Sequence, residues 1–311
     1  MKGLALLLAV VALGLSSCAE KQHIGVLQES DHAVAKHLEV CVGATEDDIA
    51  ALFDRWNDAV KTGDPHKVVA NYALKSVLLP TVSSRPRVTA LEKEDYFHHF
   101  LENGPSGRID SRTIELDCNS AIDEGLYTFN FQKTGASVQA RYTFTYKWDG
   151  TQWLITSHHS SAVPAVEEAP PEEEHHAVAQ HPETCVAATE DEIAALFDRW
   201  NDSLKSGNPH RVMANYAPKS VLIPVSSTRP RLTLDDKEEY FRHFLKHRPV
   251  GRIVSRTIVL NCNTAIDEGL YTFKFADNGA DVKARYTFIY KWDGNEWLIT
   301  SDHASVLPPK E

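Results

Sequence analysis

The chain contains one long sequence twice. The segment LFDRWND occupies residues 52–58 and returns at residues 196–202, and a shift of 144 residues aligns residues 32–164 with the second copy without a gap. Solenoids and propellers repeat every 20–50 residues or so, so this repeat is a duplicated domain. The length of 311 residues also suits two ordinary domains. Every structural prediction therefore applies twice, and the differences between the copies are the informative positions.

The pattern within one copy predicts three helices followed by a sheet. Thr45 and Thr89 are placed to cap helices, since an acidic residue follows each by three positions, and Asp64-Pro65 suits the start of a short helix between them. The strand SVLLP precedes the third helix, and four strand-like runs then follow at about residues 107–117, 124–132, 137–148 and 152–160. This order predicts an α+β fold with two tandem cone-shaped domains, each with three helices packed on a curved antiparallel sheet.

The composition of the segments before and between the two copies predicts how the chain is divided into parts. The predicted parts are a signal peptide at 1–17, a lipidated tether at 18–43, a first cone domain at 44–164, an acidic Pro-containing linker at 165–187 and a second cone domain at 188–309. The apolar run from Leu4 to Leu15 follows Lys2 and is too short for a membrane span. It ends in Leu15-Ser16-Ser17-Cys18, which resembles a bacterial lipobox. The resemblance implies a lipid on Cys18 and, because Ala19 is not Asp, the periplasmic face of the outer membrane; the alternative is a plain signal peptide.

The other four cysteines fall as one pair in each copy. Their equal separation predicts the disulfides Cys41–Cys118 and Cys185–Cys262, which would agree with export. Four buried free thiols are the alternative.

The order of helices and strands resembles the nuclear transport factor 2-like superfamily, and the resemblance is carried further by the segment LFDRWNDAVKTGDPHKVVANYA and the closing segment YKWDGTQWLITSHHS. Within it they resemble the association (hub) domain of calcium/calmodulin-dependent protein kinase II and its bacterial stand-alone relatives, of the SgcJ/EcaC type. The resemblance implies the cone fold, association between domains and a small pocket. The kinase activity does not carry over, because the sequence has no Gly-rich phosphate loop, His-Arg-Asp or Asp-Phe-Gly motif.

The net charge and the motifs that the sequence lacks reduce the number of expected partner classes. The formal charge is −11 without a cluster of Lys and Arg, so we expect no nucleic-acid partner. The sequence has no basic amphipathic helix for calmodulin, no glycine pattern for a dinucleotide cofactor and no metal-ligand spacing. We therefore expect no calmodulin partner, no cofactor and no bound metal. His98 and His99 are neighbours on a helix and are expected to diverge rather than share a metal.

Strand alternation places Tyr142, Phe144 and Tyr146 on one face of their strand and Arg141 on the other. We expect the aromatic face to pack on a second cone, in the same chain or in another, and Arg141 to face the hollow beneath the helices. The alternative is that the aromatic residues pack under their own helices. The expected ligand-binding residues are Arg112, Arg141, His158, Ser160 and Trp56 in the first copy, and Arg256, Arg285, Asp302 and Trp200 in the second. For the arginines, internal ion pairs are the alternative.

The last strand differs between the copies at two positions on one face. His158 becomes Asp302 and Ser160 becomes Ala304, and we expect this face to be the one that carries Arg141. The change predicts two pockets that have diverged, although drift at an exposed strand end would look the same.

The sequence thus favours an exported, lipid-anchored tandem module for ligand binding or oligomerisation. Its expected partners are a small anionic or apolar molecule, the membrane through Cys18, and a second cone in cis or a homo-oligomer in trans. The alternative is an isomerase, cyclase or dehydratase of the same fold, for which His158 with Tyr96 is the best acid–base pair.

Overall fold

A computed structural model describes residues 36–163 and 182–308. The first copy consists of β1 (Lys36–Val40), α1 (Glu46–Lys61), α2 (Pro65–Val69), β2 (Tyr72–Leu79), α3 (Ala90–Leu101), β3 (Pro105–Asp117), β4 (Ser120–Phe131), β5 (Ser137–Trp148) and β6 (Trp153–Ala162). The second copy consists of β7 (Pro182–Val186), α4 (Glu190–Lys205), α5 (Pro209–Met213), β8 (Tyr216–Ile223), α6 (Leu234–Phe244), a short 3₁₀ turn (Leu245–His247), β9 (Pro249–Leu260), β10 (Thr264–Phe275), β11 (Asp281–Trp292) and β12 (Trp297–Val306). The signal peptide, Cys18 and most of the tether and linker lie outside the described residues.

Each copy forms one five-stranded sheet. The strand orders are β2-β6-β5-β4-β3 and β8-β12-β11-β10-β9, so the two sheets have the same topology. The last four strands of each copy form an antiparallel meander, while β2 and β8 run parallel to β6 and β12. The predicted α+β class and the tandem arrangement are confirmed. The first strand of each sheet runs parallel to the last one, so each sheet is mixed and not wholly antiparallel.

Local sequence signals set the helix boundaries. The Thr45 hydroxyl accepts from Asp48 N at 3.2 Å while the Asp48 carboxylate accepts from Thr45 N at 2.8 Å, which satisfies two backbone donors that the helix itself leaves unpaired. Thr89 and Thr189 start α3 and α4 in the same way. Such caps contribute about 1 kcal/mol each. Within the described residues, no helix is long and apolar enough to cross a membrane.

The aromatic face of β5 packs beneath the helices of its own domain. Tyr142, Phe144 and Tyr146 are buried, and the Trp56 and Phe144 ring centroids lie 5.6 Å apart. The prediction that this face packs on the second cone is therefore wrong, and its alternative holds. The physical reason is that α1 and α3 also carry apolar faces, and burying the two against each other removes the most apolar surface from water.

The ends of the tether and the linker pair with each other, which the sequence analysis did not predict. β1 and β7 form an antiparallel two-stranded ribbon in which Leu38 is opposite Thr184. The predicted disulfides Cys41–Cys118 and Cys185–Cys262 are confirmed, and each joins residues 77 apart. They tie each end of the ribbon to the sheet of its own domain.

Candidate functional site

The sheet faces without helices pack against each other, so the two copies pair within one chain. We call this side of each sheet the pairing face. Ile122, Val259, Ile266 and Ile289 form a small apolar cluster there. Ser120 Oγ lies 3.3 Å from Thr264 Oγ1, and these two residues are equivalent in the repeat. Contact between equivalent residues is the mark of a two-fold, isologous interface.

Two equivalent histidines lie at the centre of the pairing faces. The His159 and His303 rings stack with centroids 3.7 Å apart and planes 10° apart. The ring nitrogens of His159 contact the hydroxyls of Thr287 and Ser305 at 3.1 and 2.8 Å, and those of His303 contact the equivalent hydroxyls of the first domain at 3.0 and 2.9 Å. Burial holds the pKa of both imidazoles well below the ordinary value, so the stacked rings are neutral.

Arg141 lies in this interface and not in the hollow beneath the helices, so its predicted position is wrong. Its guanidinium donates to Pro224 O and Ser227 O of the other domain and to Ser161 Oγ of its own. Arg285 makes the equivalent contacts with Pro80 O and Ser305 Oγ. Burial lowers the pKa of both arginines to about 10. They act as clamps between the domains, because their donors are taken up by carbonyl oxygens across the interface.

Two glutamates complete the pairing faces. Ser301 Oγ donates to Glu124 across the interface at 2.6 Å, and Ser157 Oγ donates to Glu268 at 2.6 Å. Burial raises the pKa of each glutamate to about 8. The interface is therefore largely a polar network, stabilised by hydrogen bonds between groups that leave water.

Arg112 and Arg256 lie on the helix-covered side and form ion pairs with buried aspartates. Arg112 binds Asp123 at 2.8 Å, and Arg256 binds Asp267 at 2.9 Å. The Tyr142 hydroxyl also donates to Asp123 at 2.8 Å. The alternative that the sequence left open for these two arginines, an internal ion pair, is the arrangement in the structure.

His158 lies beside Phe144 on the helix-covered side of β6, and Asp302 lies at the equivalent place on β12. The His158 ring stacks on Phe144 with centroids 4.0 Å apart. The placement of these residues on the same face as Arg141 is therefore wrong, because Phe144 pairs with His158 and Thr143 pairs with His159 in the register of β5 and β6. The two varied positions instead line a cavity between helices and sheet.

The first domain nearly fills its cavity. A volume of about 50 Å³ remains among residues that include Trp56, Tyr96, His158 and Ser160. The Ser160 hydroxyl contacts Tyr127 and Thr81 and so links two walls of the cavity. His158 Nδ1 lies 2.7 Å from the Tyr72 hydroxyl, and Tyr96 lines the same cavity. Burial lowers the pKa of His158 to about 3.

The second domain keeps an open cavity of about 270 Å³. Among the wall positions that line both cavities, three differ: Val225 replaces Thr81, Ala304 replaces Ser160, and Asp302 replaces His158. The second cavity is also lined by Ser226 and His247, where the first domain has Val82 and Asn103. The hydroxyl link between the walls is lost with the changes at Thr81 and Ser160, and the change at His158 replaces a ring with a smaller carboxyl group. The predicted divergence of the two copies thus falls on cavity walls.

Asp302 is the acidic group of the larger cavity. It is buried, and its Oδ2 accepts from the Tyr216 hydroxyl at 2.6 Å. Tyr216 in turn accepts from Trp200 Nε1 at 3.2 Å. Burial raises the pKa of Asp302 to about 7, against the hydrogen bond from Tyr216. Tyr216 and Tyr271 were missed by sequence reasoning, although the position of Tyr216 at the start of a buried strand was a usable signal.

His98 and His99 do approach a common carboxylate, contrary to expectation. Their Nδ1 atoms lie 3.8 and 3.7 Å from Glu102 Oε1, on an exposed turn of α3. The rings can turn toward the residue three or four positions later, so adjacent positions on a helix did not force them apart.

Comparison with known proteins agrees with this fold. The family described as calcium/calmodulin dependent protein kinase II association domain matches residues 45–164 and 189–308. One similar solved structure is a putative calcium/calmodulin dependent protein kinase II association domain from Xanthomonas campestris, with 47% identity over 42% of this chain and 99% of that chain and a TM-score of 0.38. Another is an NTF2-like protein of unknown function from Pseudomonas putida KT2440, with 18% identity over 37% of this chain and 84% of that chain and a TM-score of 0.35. A search of curated proteins gave no match. The family match spans most of the chain in two copies, and the protein belongs to the calcium/calmodulin-dependent protein kinase II association domain family.

Proposed function

We propose that the protein is an exported, lipid-anchored association module in which two domains of one chain form a fixed pair and the second domain binds a small, largely apolar molecule. The observation that carries the proposal is the inequality of two otherwise equivalent cavities, about 50 Å³ and about 270 Å³. Pockets for drug-sized ligands occupy roughly 300–1,000 Å³, so the ligand is smaller than these.

Family membership favours oligomerisation, and the duplication supplies a partner domain within the same chain. Equivalent polar residues meet across the pairing faces, as they would in a symmetric dimer. A covalently supplied partner keeps the pair together at any protein concentration, because the second binding event is intramolecular. Pairing in cis thus suits a protein that is held at low density on a membrane.

Ligand binding is tested by filling one cavity at a time. Ala284 lines the larger cavity and Ala140 is its equivalent in the smaller one. We expect the purified chain to bind one molecule of 2-naphthol, Ala284→Leu to abolish this binding, and Ala140→Leu to leave it intact. Isothermal titration measures both affinity and stoichiometry. Loss of binding only in Ala140→Leu, or no binding by the unaltered chain, would contradict the proposal.

The anchor is tested by mass spectrometry of the protein isolated from membranes. We expect a diacylated Cys18 at the mature N-terminus and, in Cys18→Ala, release from the membrane fraction. Unmodified Cys18 in the membrane-isolated protein would refute the lipid anchor and leave the ligand proposal standing.

One observation favours a second candidate, a proton-transfer enzyme. Asp302 is a buried carboxyl group with a pKa of about 7 in an apolar cavity, and a general base is most effective when its pKa is near the working pH. The base would then be Asp302 in the second domain and not His158 in the first. This activity would exchange the α-protons of a small apolar ketone for deuterium in D₂O, which NMR detects. The exchange should be lost in Asp302→Asn.

A further inference from the structure

Asp302 differs from the other buried aspartates of the described residues. Asp123 and Asp267 each hold an arginine. Asp302 receives one hydrogen bond, from Tyr216 to Oδ2, and no basic side chain lies within ion-pair distance among the described residues. Its second oxygen, Oδ1, has no hydrogen-bond partner there. A buried carboxylate is costly unless a cation or several donors stabilise it.

Aromatic side chains surround this carboxyl group. The rings that line the cavity are those of Trp200, Tyr240, Phe241, Phe244, Tyr271, Phe273 and Phe275. The face of an aromatic ring attracts a cation, and more strongly when water is excluded. The Tyr271 hydroxyl has no hydrogen-bond partner among the described residues and can accept a hydrogen bond. Aromatic rings around a single carboxylate are complementary to an organic ammonium ion.

The groups that face Asp302 add no competing positive charge. They are tyrosines from four elements, Tyr216 on β8, Tyr240 on α6, Tyr271 on β10 and Tyr290 on β11. The cations nearest to Tyr240 are Arg141, which is bound to carbonyl oxygens between the domains, and Arg231. His247 lines the outer part of the cavity and contacts Asp277 at 2.7 Å.

We propose that the cavity of the second domain binds a small hydrophobic amine as its ammonium ion, with an N–H group donating to Asp302 Oδ1 and the apolar body packed among the aromatic rings. This rests on the proposed function, since it names the chemical class of the ligand for the same cavity. The first domain cannot bind such an ion, because His158 replaces the carboxylate and the cavity is nearly filled.

Three probes of similar shape and different charge test the inference on the purified chain. They are 2-phenylethylamine, 2-phenylethanol and phenylacetate. At pH 8 we expect the amine to bind roughly 10- to 100-fold more tightly than the alcohol, as for one charge-assisted hydrogen bond, and phenylacetate to bind most weakly. Asp302→Asn should remove the advantage of the amine over the alcohol, and an unchanged circular dichroism spectrum would show that the variant still folds.

The pH dependence gives a second readout. The carboxyl group must lose its proton before it can pair with the ammonium ion, so affinity for the amine should fall below about pH 7 and approach a tenfold loss per pH unit. Binding of the alcohol should not change over this range. In Asp302→Asn the affinity for the amine should be independent of pH as well.

The repeat allows a gain-of-function control. The triple variant Thr81→Val, His158→Asp and Ser160→Ala gives the first cavity the residues of the second at the three differing positions that line both cavities, and we expect it to bind two amines per chain instead of one. Equal affinity for amine and alcohol, or strongest binding of phenylacetate, would overturn the ammonium inference while the proposed function stands. Failure of all three probes to bind would overturn the ammonium inference, and failure of 2-naphthol to bind as well would overturn the proposed function.

Discussion

Replacing Arg141 and measuring the stability of the folded chain tests whether contacts between the two domains stabilise their pairing. Its side chain is 1% exposed, and its guanidinium donates to Pro224 O and to Ser227 O at 3.0 Å across the interface. Arg141→Met keeps most of the side-chain volume and removes every donor. Two carbonyl oxygens of the second domain then lose a charged donor in a place that water does not reach.

The expected loss follows from these contacts. A buried acceptor left without its donor costs about 1–3 kcal/mol, so two acceptors cost about 2–6 kcal/mol. Removing a buried charge also relieves its desolvation cost, which is visible in the lowered pKa of Arg141. We therefore expect the free energy of unfolding to fall by about 2–4 kcal/mol.

Equilibrium urea unfolding with intact disulfides, followed by tryptophan fluorescence and circular dichroism, measures this loss. Coincident transitions would establish that the two domains unfold as one cooperative unit. Arg108→Met is the matched control, because Arg108 is 68% exposed and pairs with Asp110 at the surface, and we expect a change of about 0–1 kcal/mol. If Arg141→Met costs no more than Arg108→Met, the clamp does not stabilise the pair.

Three further predictions concern stability. The pKa of Glu268 is raised to about 8, so the protonated form of Glu268 stabilises the folded state, and the free energy of unfolding should fall as pH rises from 6.5 to 7.5. Glu268→Gln should remove about 1 kcal/mol of that fall, measured by urea unfolding at each pH. Replacing Cys185 and Cys262 together by Ser should cost about 2–4 kcal/mol by the same assay. A Cβ atom at Gly125 would lie 2.2 Å from Ser111 O, so Gly125→Ala should lower the melting temperature by several degrees, roughly as for a loss of 1–3 kcal/mol; an unchanged melting temperature would contradict the close approach.

The fold could be predicted because its signals are local and occur twice. The capping residues Thr45, Thr89 and Thr189 mark helix starts within a few positions, and alternation marks the strands of the meander. The equal spacing of the cysteines in the two copies identified the disulfides without knowledge of the fold. The ribbon of β1 and β7 was not predictable, because its partners are more than 140 residues apart and neither segment alternates clearly.

The side chains of β5 were separated correctly into two faces, and each face was assigned to the wrong partner. Alternation separates Arg141 from Tyr142 but does not say which face the helices cover. In the structure the aromatic face packs on the helices of its own domain, and the face with Arg141, Thr143 and His159 packs on the other domain. Because those polar side chains form their contacts across the interface, the buried face has the same composition as a solvent-exposed surface. The change from His158 to Asp302 compares two copies of one environment, and both residues line cavities in the structure.

The central claim, that the two domains pair within one chain through their pairing faces, is tested most directly by a cross-link at the two-fold axis. Ser120 Oγ and Thr264 Oγ1 lie 3.3 Å apart, and the four cysteines of the two domains are already paired in disulfides. We expect the chain with Ser120→Cys and Thr264→Cys to oxidise to an internal disulfide, with monomeric mobility and, by mass spectrometry, a third disulfide that joins positions 120 and 264 beside the two native ones. Disulfides between chains, or free thiols at both positions under the same oxidation, would contradict the account.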